Sequence, residues 1–185
     1  MGMGSGGTTP RFSGPTLAFS VRPLREGDAE ALAAFYGALS AESARFFEPY
    51  KDTSVAAMRE VVRRAAEGVD LSLAVLDGDG RIVGHIFYLD VSKDVPHLGI
   101  GLLDAYHDQG LGSALLVYLI GVGRHVLGKQ TIGLTVLKDN RRAFHLYRKH
   151  GFQTVRDVTF RDKDDSYEMW LRFGAAKAEP DAGGD

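Results

Sequence analysis

The chain has 185 residues, 44% hydrophobic and 25% charged, which suits one well-buried soluble domain and is short for two. Its formal net charge of -2 argues against a dedicated nucleic-acid binder, and no apolar run approaches the ~18 residues of a membrane span. Without cysteine there is no disulfide, thiolate nucleophile or zinc–thiolate site, and without a charged-then-apolar start there is no secretory signal, so the simplest compartment is the cytoplasm.

Composition assigns residues 1–15 to a disordered Gly/Ser/Thr-rich tail, 16–173 to a single folded domain and 174–185 to a disordered small-residue tail. Leu17 to Leu24 alternates apolar and polar positions and reads as a first strand. Gly27-Asp28 then caps a helix carrying Ala29, Leu32, Ala33, Phe35 and Tyr36 at helical spacing. Ser40 to Asp52 reads as an irregular connector holding Phe46, Phe47, Glu48 and Tyr50. Thr53 or Ser54 opens a second helix, striped by Val55, Met58, Val61, Val62 and Ala65 and ended by Gly68.

Leu71 to Leu76 and Arg81 to Val91 flank Asp77-Gly78-Asp79-Gly80, the most legible hairpin turn in the chain. Val95 to Leu103 follows as a third consecutive antiparallel strand. A helix from about Gly110 presents Leu111, Ala114, Leu115, Tyr118, Leu119 and Val122 on one side and stops at Gly128. Gly121 and Gly123 inside it each cost about 1 kcal/mol relative to Ala. Thr131 to Leu137 is a strand, and Asn140 to His150 is a helix capped by Asn140 and Gly151. Phe152 to Phe160 and Ser166 to Leu171 form a closing hairpin around Asp162-Lys163-Asp164-Asp165. The class is α/β, in the α+β sense of a mixed sheet of about seven strands with helices on both faces.

From Leu98 to Leu116 the chain runs strand, short loop, helix, with Gly110-Leu111-Gly112 at the helix start. Glycines there let the backbone approach a ligand, and first-turn N–H groups at the positive end of the helix dipole suit a phosphate or pyrophosphate. The same pair also fits an ordinary turn. A dinucleotide fold does not fit. Leu115 stands where a third glycine belongs, and residues 130–136 carry no carboxylate.

Two motifs in order, His107-Asp108-Gln109-Gly110-Leu111-Gly112 and the run from Asn140 through Ala143 and Tyr147 to Gly151-Phe152, resemble the signatures of the GNAT superfamily of acyl-CoA-dependent N-acetyltransferases. His107 departs from that pattern, standing where the superfamily usually has Arg or Gln. The resemblance implies the GNAT fold, with a largely antiparallel central sheet. It also implies an acyltransferase that moves the acetyl group of acetyl-CoA to a primary amine by direct attack, without a metal. The acceptor would be a small-molecule amine or a protein N-terminus, and the superfamily's habit admits a homodimer. The alternative is a non-catalytic acyl-CoA-binding module of the same fold.

What the resemblance implies residue by residue is as follows. The backbone from Gln109 through Gly110, Leu111, Gly112 and Ser113 to Ala114 holds the cofactor phosphates, with His107 and Asp108 leading the loop. Leu102 and Leu103 offer strand-end backbone to the pantetheine arm, and Asn140 touches it. Tyr147 donates a proton to the departing thiolate, as a neutral phenol can. From spacing alone, Tyr147 with Phe144 packs a helix face and Asn140 is a cap; Arg141 and Arg142 read as solvated surface.

His97 stands where the superfamily often places a glutamate base. Strand alternation puts His97, Gly99 and Gly101 on one face, which would leave room for a ligand beneath an ionisable group. A structural histidine at the strand start fits equally well. Glu48 is the second candidate base, at the acidic edge of an apolar pocket with Phe46, Phe47 and Tyr50. His85 is a third and reads more readily as structural.

Overall fold

The computed structural model describes residues 11–13, 18–160 and 164–174. Strands β1 (Arg11–Ser13) and β2 (Ala18–Pro23) lead through a 3-10 turn to helices α1 (Ala29–Gly37), α2 (Ala41–Phe46) and α3 (Val55–Ala66). Then come β3 (Leu71–Leu76), β4 (Ile82–Leu89), β5 (His97–Leu102), a second 3-10 turn (Asp104–Tyr106) and α4 (Leu111–Gly121), which runs into a π-helical turn (Val122–Val126). The chain closes with β6 (Thr131–Leu137), α5 (Arg141–Lys149), β7 (Gln153–Phe160) and β8 (Asp164–Arg172).

The strands form one sheet in the order β1-β2-β3-β4-β5-β6-β8-β7, antiparallel at every pair except β5–β6. That parallel pair touches at a single register point, His97 opposite Gly133, where the Gly133 N–H donates to Pro96 O at 3.1 Å. Beyond it the two strands diverge. The opening between them organises the rest of the molecule.

Alternation along β5 divides the core. Leu98 and Leu102, with Ile100 between them, join Leu115, Leu116 and Leu119 of α4 and the inner face of α5 in one apolar cluster. On the opposite face Leu32, Phe35 and Tyr36 of α1 and Met58, Val61 and Val62 of α3 pack on Ala74 and Ile82. Leu115, Leu116 and Leu119 are wholly buried. At ~1.5–3 kcal/mol each, their burial outweighs the ~1 kcal/mol that a helical glycine costs.

Gly123 has a packing reason, since a Cβ there would lie 2.6 Å from the Tyr88 hydroxyl. That hydroxyl donates to Leu119 O at 2.9 Å, and the helical bonds widen to π spacing just beyond it.

Three sequence readings are corrected. Arg11–Ser13, assigned to the tail, pair with β2 as an edge strand, because ladder hydrogen bonds supply what composition does not count. Residues 1–10, 14–15 and 175–185 of the two tails lie outside the described residues, as do residues 161–163 at the expected closing turn. Asp28 does not cap α1 through its side chain; its carboxylate takes two bonds from Arg22, at 2.6 and 2.8 Å, and one from Arg25 N. The sheet has eight strands among the described residues, the expected seven or so with the short edge strand β1 counted in. The connector after α1 contains α2, whose cap Ser40 accepts from Ser43 N at 3.2 Å. A six-residue helix carries no hydrophobic repeat long enough to read.

Candidate active site

Past the His97–Gly133 contact, the splay between β5 and β6 opens into a cavity of about 450 Å³. Its two strand walls include Ile100 and Leu102 on β5 and Thr135 and Val136 on β6. Asn140 and Tyr147 of the α5 motif line it, as do His107 and Gly112 of the glycine loop. The two motifs, far apart in sequence, share one cleft.

The ladder decides which β5 amides face the splay. Leu103 N donates to Val83 O at 2.9 Å, so its amide is spent on β4 and the cofactor contact expected of it is not available. In an antiparallel ladder, hydrogen-bonded and non-bonded pairs alternate. With Gly84 opposite Leu102 and Ile86 opposite Ile100, the amides of Leu102 and Ile100 are directed away from β4 into the opening. Sequence reasoning named Leu102 but missed Ile100, because the parity of a ladder follows from register.

The glycine loop is shaped by two residues in left-handed conformation, Asp108 (φ 58) and Gly110 (φ 78). Gly110 stands at the N-cap of α4 and offers no side chain to its first amides. Side chains around the loop hold one another. His107 Nε2 lies 3.1 Å from Leu102 O, and Gln109 Nε2 donates to Ala105 O at 2.8 Å. Ser113 Oγ meets His150 Nε2 at 2.9 Å, and Arg142 lies 3.3 Å from Asp108. Leu111 is buried in the core, and Arg141 and Arg142, read as solvated surface, line the cavity rim.

On α5, Asn140 Oδ1 accepts from Ala143 N at 3.1 Å, which caps the helix and leaves its NH₂ group to donate. Tyr147, seven residues on, is half-buried, and its ring leans on Phe152 with centroids 5.8 Å apart. Burial pushes its phenol up to about 12, so the group is a protonated donor throughout the neutral range.

Helix α2 contributes a wall that the sequence reading took for loop: its Glu42, Ser43 and Phe46 line the cavity, as does Phe47 just beyond its end. Asp104 fixes its start, accepting from Ser40 N (3.1 Å), Ser40 Oγ (2.9 Å) and Ser43 Oγ (2.5 Å). Those bonds hold the Asp104 carboxyl down at about 2. Arg45 pairs across the mouth with Asp139, just ahead of Asn140.

None of the three candidate bases lines the cavity. Glu48 lies outside its walls, and the carboxylates that line it are Glu42, Asp104 and Asp139 instead. His97 sits at the vertex of the splay with Nε2 3.3 Å from Glu168 Oε1. The space expected beside Gly99 and Gly101 is filled: Cβ atoms there would fall 2.2 Å from the Phe87 ring and 2.0 Å from the Phe47 ring. His85 is wholly buried, its Nδ1 2.8 Å from the Tyr36 hydroxyl, which agrees with the structural reading.

Residues 35–152 match the profile of the Acetyltransferase (GNAT) family. The chain belongs to that family. It is 30% identical over 116 residues to the N-terminal acetyltransferase A complex catalytic subunit ard1 of Schizosaccharomyces pombe, covering 58% of this chain and 66% of that protein. It is 33% identical over 91 residues to the L-amino acid N-acetyltransferase AaaT of Escherichia coli, covering 46% of this chain and 54% of the relative. The chain thus spans between about half and two thirds of the length of these curated relatives.

Among solved structures, the ribosomal-protein-S5-alanine acetyltransferase of Vibrio fischeri superposes with a TM-score of 0.74 at 14% identity, over 88% of this chain and 96% of that one. The spermidine N-acetyltransferase of Vibrio cholerae, in complex with CoA and spermine, gives 0.70 at 18% identity, over 83% and 95%. These likenesses establish the GNAT fold. Among the described residues no helix is long and apolar enough to cross a membrane.

Proposed function

We propose that this GNAT chain is an N-acetyltransferase that moves the acetyl group of acetyl-CoA to a primary amine by direct attack. The observation that carries the reading is the meeting of Gly112, Leu102, Asn140 and Tyr147 on one cavity at the β5–β6 splay. The donor set fits the cofactor. Its phosphates suit the uncapped amides at the start of α4, and its pantetheine amides suit the β5 backbone and the Asn140 NH₂ group. When bound, acetyl-CoA supplies an activated acyl group on a thioester.

The chain's own residues do the rest. The Leu102 and Ile100 amides donate to the arm and to the oxygen that gains charge during attack. Tyr147 holds a proton ready for the departing sulfur. Phe46 and Phe47 narrow the acceptor side, and Glu42 adds a negative edge suited to a cationic amine.

Thiol release from acetyl-CoA tests the reading, with a panel of an N-terminal-alanine peptide, free L-amino acids and spermidine. Wild type should release thiol with at least one amine, and Tyr147→Phe should lower kcat by ~10²-fold or more while acetyl-CoA binding persists. Binding without turnover on any amine would overturn the enzyme in favour of a non-catalytic module.

A further inference from the structure

His97 reaches across a whole strand. It pairs with Gly133 of β6, and a Cβ at Gly133 would lie 2.7 Å from His97 Cδ2 and 2.8 Å from Nε2. The imidazole therefore lies over β6 where that strand has no side chain. On the far side it meets Glu168 of β8, Nε2 to Oε1 3.3 Å.

Glu168 is buried and held from two other directions. Trp170 Nε1 donates to Oε1 at 2.9 Å and Arg156 Nε to Oε2 at 2.5 Å. Thr135, the register partner of Glu168 and so on the same face of the sheet, lines the cavity, whereas the Gly99 position on that face is filled by the Phe87 ring. The pair thus stands one pleat, about 7 Å, from the cavity wall, a span that a chain of two hydrogen-bonded waters bridges.

Resting on the acetyltransferase reading above, we propose that Glu168 is a positioning residue that makes His97 the proton acceptor for the incoming amine. A carboxylate has no hydrogen to give, so the ring nitrogen facing it carries the hydrogen and the lone pair falls on Nδ1. The charges facing His97 are Glu168 from β8, Arg156 from β7 and Lys93 from the turn before β5. Burial lowers the imidazole below its ordinary value, and Glu168 opposes that, which keeps the neutral ring basic enough to take a proton.

The balance is simple. The ammonium gives one proton through water to His97 Nδ1, and the neutral nitrogen forms the C–N bond as the C–S bond breaks. Tyr147 protonates the sulfur and regains a proton from the nitrogen, which keeps one hydrogen fewer as the amide. His97 passes its proton to solvent.

Two conservative variants and two readouts test this. Tautomer-sensitive ¹⁵N NMR of His97 should find the hydrogen on Nε2 in wild type and lose that preference in Glu168→Gln. The kcat/KM pH profile, on whichever panel amine wild type uses, has an acid limb set by the neutral imidazole. Removing the Glu168 charge should move that limb to lower pH and cut kcat/KM near neutrality roughly tenfold. Gly133→Ala, which pushes the ring off Glu168 with the carboxylate intact, should do the same, and KM for acetyl-CoA should stay unchanged in both. A wild-type ring with its hydrogen on Nδ1, or variants with the wild-type profile, would overturn the assignment while leaving the enzyme in place. Wild type inactive on every amine would overturn the acetyltransferase reading itself, and this inference with it.

Discussion

The Phe47 ring lies against the backbone of Gly101 so closely that a Cβ at Gly101 would fall 2.0 Å from its Cε1. Phe47 in turn stacks on Tyr36 with centroids 5.9 Å apart, so the wall of the cavity is tied to α1 and cannot slide freely. Gly101→Ala should therefore destabilise the fold by about 1–3 kcal/mol, the usual cost of overpacking, read as a drop in the urea midpoint at constant m. Adding Phe47→Ala should recover part of that loss, a non-additivity expected only if the two residues share one space. Strictly additive effects would refute the contact.

Tyr147 makes a prediction about pH. Its phenol is pushed up to about 12 by burial, so it remains protonated past the pH at which α-amino groups are neutral. Any alkaline fall in kcat below about pH 10 must then come from another group. If Tyr147→Phe removes an alkaline limb that wild type shows near pH 9, the phenol is not the buried donor described here. If it lowers kcat evenly across the range, proton donation by a constantly protonated group is supported.

Asp104 should control α2. Its carboxyl sits at about 2 because Ser43, then Ser40, donate to its charged form, and a carboxyl depressed on folding stabilises the native state above its unfolded value of 3.8. That contribution is lost as pH falls from 3.8 toward about 2. Asp104→Ala removes the acceptor at every pH. Amide exchange should then accelerate in Ala41–Phe46 while the α4 amides keep wild-type protection. Equal acceleration in both helices would mean general destabilisation and not a loosened wall.

The parts of the fold that sequence revealed were those with local causes. Gly110-Leu111-Gly112 and the Asn140-to-Tyr147 spacing could be read because a helix start and two helical turns are short-range facts, and both motifs line the cavity. The Asp77 turn was equally local, with its side chain accepting from Asp79 N and Arg81 N. What stayed hidden depends on register or on distant partners. Ladder parity turns Leu103 N toward Val83 and Ile100 N toward the splay. Glu168 gains meaning only when β8 lies beside β6 and Gly133 lacks a side chain. The room beside Gly99 and Gly101 was misjudged because alternation tells which way a glycine faces but not that Phe87 and Phe47 fill the space.

His85 ties acid stability to the acceptor side. It is wholly buried among the rings of Tyr36, Tyr50 and Phe87, its Nδ1 bonded to Tyr36, and its Nε2 has no hydrogen-bond partner among the described residues. Burial lowers its pKa from 6.5 to about 3. As pH falls below 6.5 the unfolded chain takes up a proton that the native ring refuses, so native stability declines until about pH 3. The slope approaches 1.4 kcal/mol per pH unit in the middle of that window. His85→Gln removes the titrating group, so its urea midpoint should fall less steeply between pH 6.5 and 4 than that of wild type. The depressed carboxylates, Glu168 among them, contribute the same slope to wild type and variant, so the difference between the two isolates His85. His97, also lowered by burial, keeps some slope in the variant, and the double change His85→Gln with His97→Gln should flatten it further. An unaltered slope in His85→Gln would mean that the ring gains its proton inside the native fold, which requires water to reach the buried Nε2.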